Sequence, residues 1–366
     1  MARTLKSDKV LFWAALALVC TSVVMVVSAA AVSREVGAAK QIGFALVGMV
    51  GMFAMMRTDY HHLKRPVVIW TLLVITFIGL LAVFLFAARN NAHRWIHGPI
   101  SMQPSELAKL VAIVFAAAIL ERRMHRVNDL RYSLGAIAIV TGLMALLIAR
   151  EPDLGTAAVL VLVVFAIVFA AGLHWRFVVA GFVALLPVLT YYIVTADWRQ
   201  MRLLAFLHPE DRTLAPFTHQ LRQSQIALGS GGPFGLGLGG SMQKAYFLPE
   251  AHNDFIFAVI GEELGLIGTT ALIACFLVLV WRGLRAALLA PDRFGTLVGI
   301  GIAMMVGMQA FINMSVVTGI APTKGIPLPL VSAGGSSLVI TMVAMGILLN
   351  ISQQASSTAA ASVNER

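Results

Sequence analysis

Charge is scarce in this chain. Only 12% of its 366 residues are Asp, Glu, Lys or Arg, while 59% are hydrophobic. Soluble domains carry about a quarter charged residues, so a water-soluble globule is excluded. Cysteine is scarcer still. The two cysteines, Cys20 and Cys275, both fall inside apolar runs. That excludes a disulfide framework and a Cys/His zinc site, and both read as small core residues. Acidic residues are the rarer sign, 17 against 27 Lys plus Arg, for a net charge of +10. In a soluble protein this surplus would suggest nucleic acid. Here the basic residues sit in short segments between apolar runs, where they set orientation and meet anionic headgroups. Nucleic acid is therefore excluded as a partner.

What is present is apolar sequence in spanning lengths. A hydrocarbon core needs about 20 apolar residues per helix. Runs of about that size lie at 10–32, 41–56, 66–88, 104–121, 134–149, 155–172, 176–195, 254–281, 296–320 and 336–352. The fold class predicted is an all-α integral membrane protein of about ten transmembrane helices. Residues 1–352 form one polytopic domain, and the Ala/Ser-rich 353–366 reads as a disordered cytoplasmic tail. The run from Val10 is too long for a signal-peptide core and is read as a retained first helix.

Lys and Arg give the orientation. With the N-terminus inside, the inner set includes Arg57, Lys64, Arg65, Arg122, Arg123, Arg126, Arg131, Arg282, Arg285 and Arg293. It outnumbers the outer set of Arg34, Lys40, Arg89, Arg94, Arg150 and Lys324, so both termini are placed inside. The longer polar connections then lie outside, among them the large loop 196–253 between the seventh and eighth spans. Long polar loops between packed helices commonly carry function.

Asp254, where that loop enters the eighth span, suits a general base, because apolar Phe255 and Phe257 would raise its pKa. An N-cap is the plainer alternative. Glu262 and Glu263 lie deeper, where carboxylates are costly. Of the two, Glu262 is the one whose helical phase lets it share a cavity with Asp254; a buried pair with a polar partner is the alternative. Glu106 and Lys109 share a helix face at i,i+3, and either a local ion pair or a functional pair fits. Arg150, Glu151 and Asp153 crowd a turn that needs no charges. Lys324 stands in a stretch broken by Pro322, Pro327, Pro329 and Gly325, and suits an anion such as a pyrophosphate. Broken backbone at membrane depth is tolerated only when buried in protein or lining a wet cavity. Gly229–Gly240 lacks the strand and the Gly-Lys-Ser/Thr of a nucleotide loop and reads as a flexible re-entrant or lid-like segment. His252 beside Asp254 does not make a zinc site. A hard divalent cation, Mg or Mn, between a carboxylate and a pyrophosphate fits the residues; no nucleotide, zinc or haem is expected.

Several of these stretches together resemble the SEDS family (shape, elongation, division and sporulation). The stretches are Gln103–Lys109, Glu151–Thr156, Gln223–Gly232, Leu248–Phe255, Ile260–Gly265 and Pro322–Ser337. Pro322-Thr323-Lys324-Gly325 and Ile260-Gly261-Glu262-Glu263 are more similar to its cell-division branch than to its elongation branch. Ala333, where relatives commonly have tyrosine, and Asn253, often threonine, depart from the pattern. The resemblance implies a ten-helix fold in the bacterial cytoplasmic membrane. It implies a peptidoglycan glycosyltransferase acting on lipid II, partnered by a class B penicillin-binding protein that carries the transpeptidase. It also implies an essential role for Asp254 and an important one for Glu106 with Lys109. Around that base the expected substrate contacts are Arg94, Arg150, Glu151, Asp153 and His252, with Lys324, Ser332 and Ser336 across the site. Rival readings are a lipid II transporter and a scaffold of the division machinery.

Overall fold

The computed structural model describes residues 7–30, 37–86, 94–96, 101–124 and 127–364. Arg34, Arg89 and Arg126, used above for orientation, lie outside the described residues, as does Arg366. Helices stand at each of the ten expected positions: α1 (Lys9–Ala30), α2 (Ala38–Arg57), α3 (Pro66–Ala82), α4 (Pro104–Arg122), α5 (Gly135–Arg150), α6 (Leu154–Ala170), α7 (Trp175–Val194), and, beyond the large loop, α11 (Ile256–Leu288), α12 (Arg293–Thr318) and α13 (Gly335–Asn364). The segments of α1, α2, α3, α5, α11, α12 and α13 are each long and apolar enough to cross a bilayer. The chain is a multi-pass, all-helical membrane protein. α4 is buried on nearly every face, including Glu106 and Lys109, as expected of an apolar helix surrounded by others. Its neighbours are α3, α5, α6, α12 and α13.

The large loop is structured. It folds into α8 (Asp197–Leu207), α9 (Ala215–Ser230) and a single turn, α10 (Gln243–Tyr246). The glycine-rich stretch expected to be flexible is instead bonded to α11. Gly265 breaks that helix with φ 67° and ψ −163°, which frees backbone groups on both sides. The loop takes them up. Leu236 and Gly237 N–H donate to the carbonyls of Glu262 and Glu263 at 2.9 and 3.0 Å, and Leu266 N–H donates to Gly232 C=O at 2.9 Å. Glycine is required here by distance: a Cβ on Gly231 or Gly235 would run into the carbonyl of Gly261 or Glu263. Phe234, Leu236 and Leu238 point outward and are exposed, as a re-entrant segment meeting lipid would be.

The same contact corrects the expectation for Glu262. Its carboxylate turns to the loop, accepting from Ser241 Oγ and from Met242 N–H at 3.1 Å. Glu263 pairs with Lys244 and accepts from Ser28 Oγ at 2.8 Å. Neither reaches Asp254, because the break in α11 admits a loop that claims both. The tail also departs from expectation, since its backbone is helical to Asn364. Ala355 and Ala359–Ala361 are strong helix formers continuing α13.

Gly235→Val should lower the detergent Tm by about 5 °C, since the side chain meets backbone and the glycine holds a positive φ. Gly229→Ala, facing open space, should leave it unchanged. Thermal unfolding of the two variants decides whether the loop is bonded in place.

Candidate active site

Five helices begin around one cavity of about 430 Å³. α2 contributes Lys40, Gln41 and Phe44 from its first turns, α4 its N-cap Gln103, and α6 its N-cap Asp153. Asp254 lies two residues before α11, and Gly335 opens α13. A helix N-terminus carries N–H groups without intrahelical partners and the positive end of a helix dipole; at α6 the Asp153 side chain already takes up one of them. A cavity ringed by five of them is made for an anion.

The wall carrying Asp254 is held by its backbone. His252, Asn253 and Asp254 turn three successive carbonyls toward the segment 313–333. Ala333 N–H donates to His252 C=O at 3.0 Å. Ser332 Oγ donates to Asn253 C=O at 2.6 Å, and Asn313 Nδ2 donates to Asp254 C=O at 2.7 Å. Asn313 also donates to Ile326 C=O at 2.7 Å. The side chain of Asp254 is thereby free of the scaffolding. It rests on Gly325, where a Cβ would lie 2.5 Å from Oδ2. Burial is the main cause that pushes its pKa up to about 7; the charges of Glu250 and Asp153 add to this and Arg94 opposes it.

The opposite wall is built on Asp153. Its carboxylate caps α6, accepting from Thr156 N–H at 3.2 Å and Thr156 Oγ1 at 2.9 Å. Gln103 Nε2 donates to it at 3.2 Å, and Arg94 Nε stands 4.0 Å away. Arg94 also donates to Pro152 C=O at 2.6 Å.

Four expected residues therefore line the cavity: Asp254, His252, Arg94 and Asp153. Others stand behind it. Glu106 and Lys109, 2.8 Å apart and buried, lie under the floor, where Ser337 Oγ donates to Glu106 at 3.0 Å. Ser336 Oγ accepts from Gln103 N–H at 3.1 Å, and Ser332 clamps Asn253. Arg150 is exposed at the C-terminal end of α5, where a cation suits the helix dipole, and it does not line the cavity. Glu151 is fully buried, with neither oxygen partnered among the described residues. Burial, then Asp153, drives its pKa up to about 8. Lys324 lies just beyond Gly325, its pKa brought down to about 8 chiefly by burial. Sequence reasoning missed Lys40, Gln103, Glu250 and Ser337 as lining residues. Gln103 and Ser337 sit inside motifs already singled out, whereas Lys40 had counted only as a loop charge. Among the described residues no three His, Cys, Asp or Glu groups stand together to hold a metal.

Comparison with known proteins gives a consistent picture. Residues 8–357 match the FTSW_RODA_SPOVE family, described as cell cycle proteins. The chain is 40% identical to a probable peptidoglycan glycosyltransferase FtsW of Geobacter metallireducens, covering 96% of each. It is 39% identical to stage V sporulation protein E of Bacillus subtilis, covering 94% of this chain and 97% of that one. Among solved structures, a chain of a peptidoglycan synthase complex that coordinates polymerization and crosslinking superposes with a TM-score of 0.81 at 28% identity, covering 96% of this chain and 99% of that one. The rod shape determining protein RodA of Thermus thermophilus gives 0.70 at 28% identity, covering 95% and 97%. With its helical bundle, its anion-suited cavity and a match running almost from end to end, the chain belongs to the FtsW/RodA/SpoVE family, the SEDS family of the sequence motifs.

Proposed function

We propose that the chain is a peptidoglycan glycosyltransferase that polymerises lipid II during septal cell-wall synthesis. Its active cavity lies at the outer face of the bacterial cytoplasmic membrane. The observation that carries this reading is Asp254, a carboxylate with its pKa near neutrality in a cavity ringed by helix N-termini. The excess of Lys and Arg in the opposite loops supports the outward orientation. A polyprenyl tail stays in the bilayer while its sugars and diphosphate reach the cavity.

Asp254 takes the proton from the 4-hydroxyl of the acceptor sugar. That oxygen attacks the anomeric carbon of the donor, the bond to the diphosphate breaks, and the polyprenyl diphosphate leaves with inversion. Negative charge grows on the leaving group, and the helix N-termini with Lys40 and Arg94 meet it. Mg²⁺ is held through one or two carboxylates plus substrate phosphates; Glu250 is the lining carboxylate that would suit such an ion, Mg or Mn, while Asp254 stays free as the base, and when bound the ion would add positive charge at the diphosphate. A class B penicillin-binding protein is the partner proposed, in keeping with the synthase complex that the fold matches.

The test is polymerisation of lipid II by the purified chain and its partner in detergent. No compartments exist there, so glycan strands mean a polymerase and their absence would favour a transporter. Asp254→Asn should cut the rate by about 10²-fold or more with the Tm unchanged, since the clamp uses the backbone of that residue. Full activity in the variant would remove Asp254 from the chemistry.

The pH profile has a definite sign. A base works deprotonated, so kcat/KM should rise with pH and level off above about 7; a flat profile from pH 5 to 8 would sink the assignment. Gly325→Val supplies a separate check. Its side chain should push the carboxylate from its seat and lower kcat at least about tenfold while glycan-free folding, read by Tm, persists.

A further inference from the structure

The cavity that holds Asp254 has one corner that does not suit an anion. It is formed by the first two turns of α2. Gln41 lines it with only 4% of its surface exposed. Its Nε2 donates to Ser22 Oγ on α1 at 2.8 Å. Its Oε1 has no partner among the described residues. A side-chain amide tethered by its nitrogen has one free end, and that end is an acceptor. An acceptor oxygen repels a diphosphate and calls for a neutral donor.

Two further features stand beside it. Phe44 follows three residues later on the same face of α2 and lines the cavity, half-buried. Its ring is seated at the start of α13, where a Cβ on Gly335 would lie 2.5 Å from Cε2 and Cζ. Gly334 and Gly335 line the cavity at that point, and the first N–H groups of a helix have no intrahelical partner. The corner therefore combines a buried acceptor, an apolar ring and backbone donors. A hydroxyl needs no apolar surface, and an ionised diphosphate brings no donor. A 2-acetamido group has all three counterparts: an N–H, a methyl and a carbonyl.

We infer that this corner reads the 2-acetamido group of a substrate sugar, with Gln41 as the residue that sets the specificity. The inference rests on the proposed glycosyl transfer, since both sugars of lipid II carry that group. The N–H donates to Gln41 Oε1, the methyl packs on the Phe44 ring, and the carbonyl accepts from the N–H groups that open α13. Ser22 is a positioning residue. By holding Nε2 it keeps the acceptor end of the amide in the cavity.

The test is steady-state polymerisation by the purified chain and its partner in detergent. The substrates are lipid II and two analogues, in which the acetamido group of one sugar or the other is replaced by acetoxy. Acetoxy keeps the carbonyl and the methyl and lacks only the N–H. A site built on a buried acceptor rejects a substrate without the donor, so one analogue should show a kcat/KM at least about 10²-fold below that of lipid II. Gln41→Met keeps the length of the side chain and removes the acceptor. It should lower kcat/KM for lipid II at least about tenfold and leave the value for that analogue unchanged. Ser22→Ala, outside the cavity, should narrow the same discrimination, and it serves where Gln41→Met does not fold. Turnover of both analogues as efficient as that of lipid II would overturn the inference. So would substitutions that change lipid II and both analogues by the same factor, which is what a purely structural role would give. No glycan from lipid II with the unmodified chain faults the glycosyltransferase reading instead; glycan made equally well from lipid II and both analogues faults the acetamido site alone.

Discussion

Backbone at membrane depth cannot be left without hydrogen-bond partners, and the arrangement around Asp254 follows from that constraint. The chain gives up helix twice in the same region, at 247–255 before α11 and at 319–334 before α13. Two irregular segments side by side have carbonyls to satisfy, and they satisfy one another. Asn313 is the joint, because one side-chain amide on α12 donates to Asp254 C=O in one segment and Ile326 C=O in the other. α12 is a 26-residue helix with a largely buried face, so the joint is anchored in the core. Ser332 and Ala333 complete the clamp. The catalytic candidate is thus positioned by groups that never touch its carboxylate, which leaves the carboxylate available for chemistry.

Two effects oppose each other at that carboxylate. Helix N-termini favour its charged form, but a dipole contribution of about 0.3–1 kcal/mol is worth less than one pKa unit. Burial shifts acids by several units, and Glu250 and Asp153 push the same way. Burial wins, which is why the pKa settles near 7 in a cavity otherwise favourable to anions. The dipoles have more effect on a substrate diphosphate, which carries more charge and stays partly solvated until it binds.

Much of this was legible in the sequence, and the limits are physical. Span positions follow from apolar length, so a helix stands at each of the ten expected positions, although α11 and α13 run on to Leu288 and Asn364, beyond their expected ends. Asp254 and Asp153 stood out as charges beside Phe, Pro and Gly at span boundaries, although an N-cap for Asp254 and an ion pair in the turn at Asp153 were open alternatives. The fate of Glu262 was not legible. Helical phase placed it near Asp254, but Gly265 adopts a conformation only glycine takes readily, and the resulting break let the loop residues Ser241, Met242 and Lys244 claim both glutamates. The contribution of α2 was hidden for a different reason. Lys40 and Phe44 carry no local signature, and only packing brings their turn against the start of α13. Glycine spacing held the hint, in that Gly335 leaves room for the Phe44 ring.

Glu106 and Lys109 show how a charge pair can matter without touching substrate. Both are almost fully buried, and a buried ion pair is poor evidence for added stability, because desolvation offsets most of the attraction. Stability alone therefore gives a weak reason to place two charges inside α4, where apolar residues would pack as well. The second oxygen of Glu106 supplies a better one. It accepts from Ser337, in the first turn of α13, and Ser337 lines the cavity beside Gly335. Next to it, Ser336 receives the N–H of Gln103 at the start of α4. Two side chains thus tie the N-termini of α4 and α13 together at the cavity floor. Lys109 donates to the first oxygen of Glu106 at 2.8 Å and so fixes the orientation of the carboxylate that receives Ser337. The pair thus fixes where α4 and α13 begin at the cavity floor, and with them the backbone that faces Asp254 across the cavity.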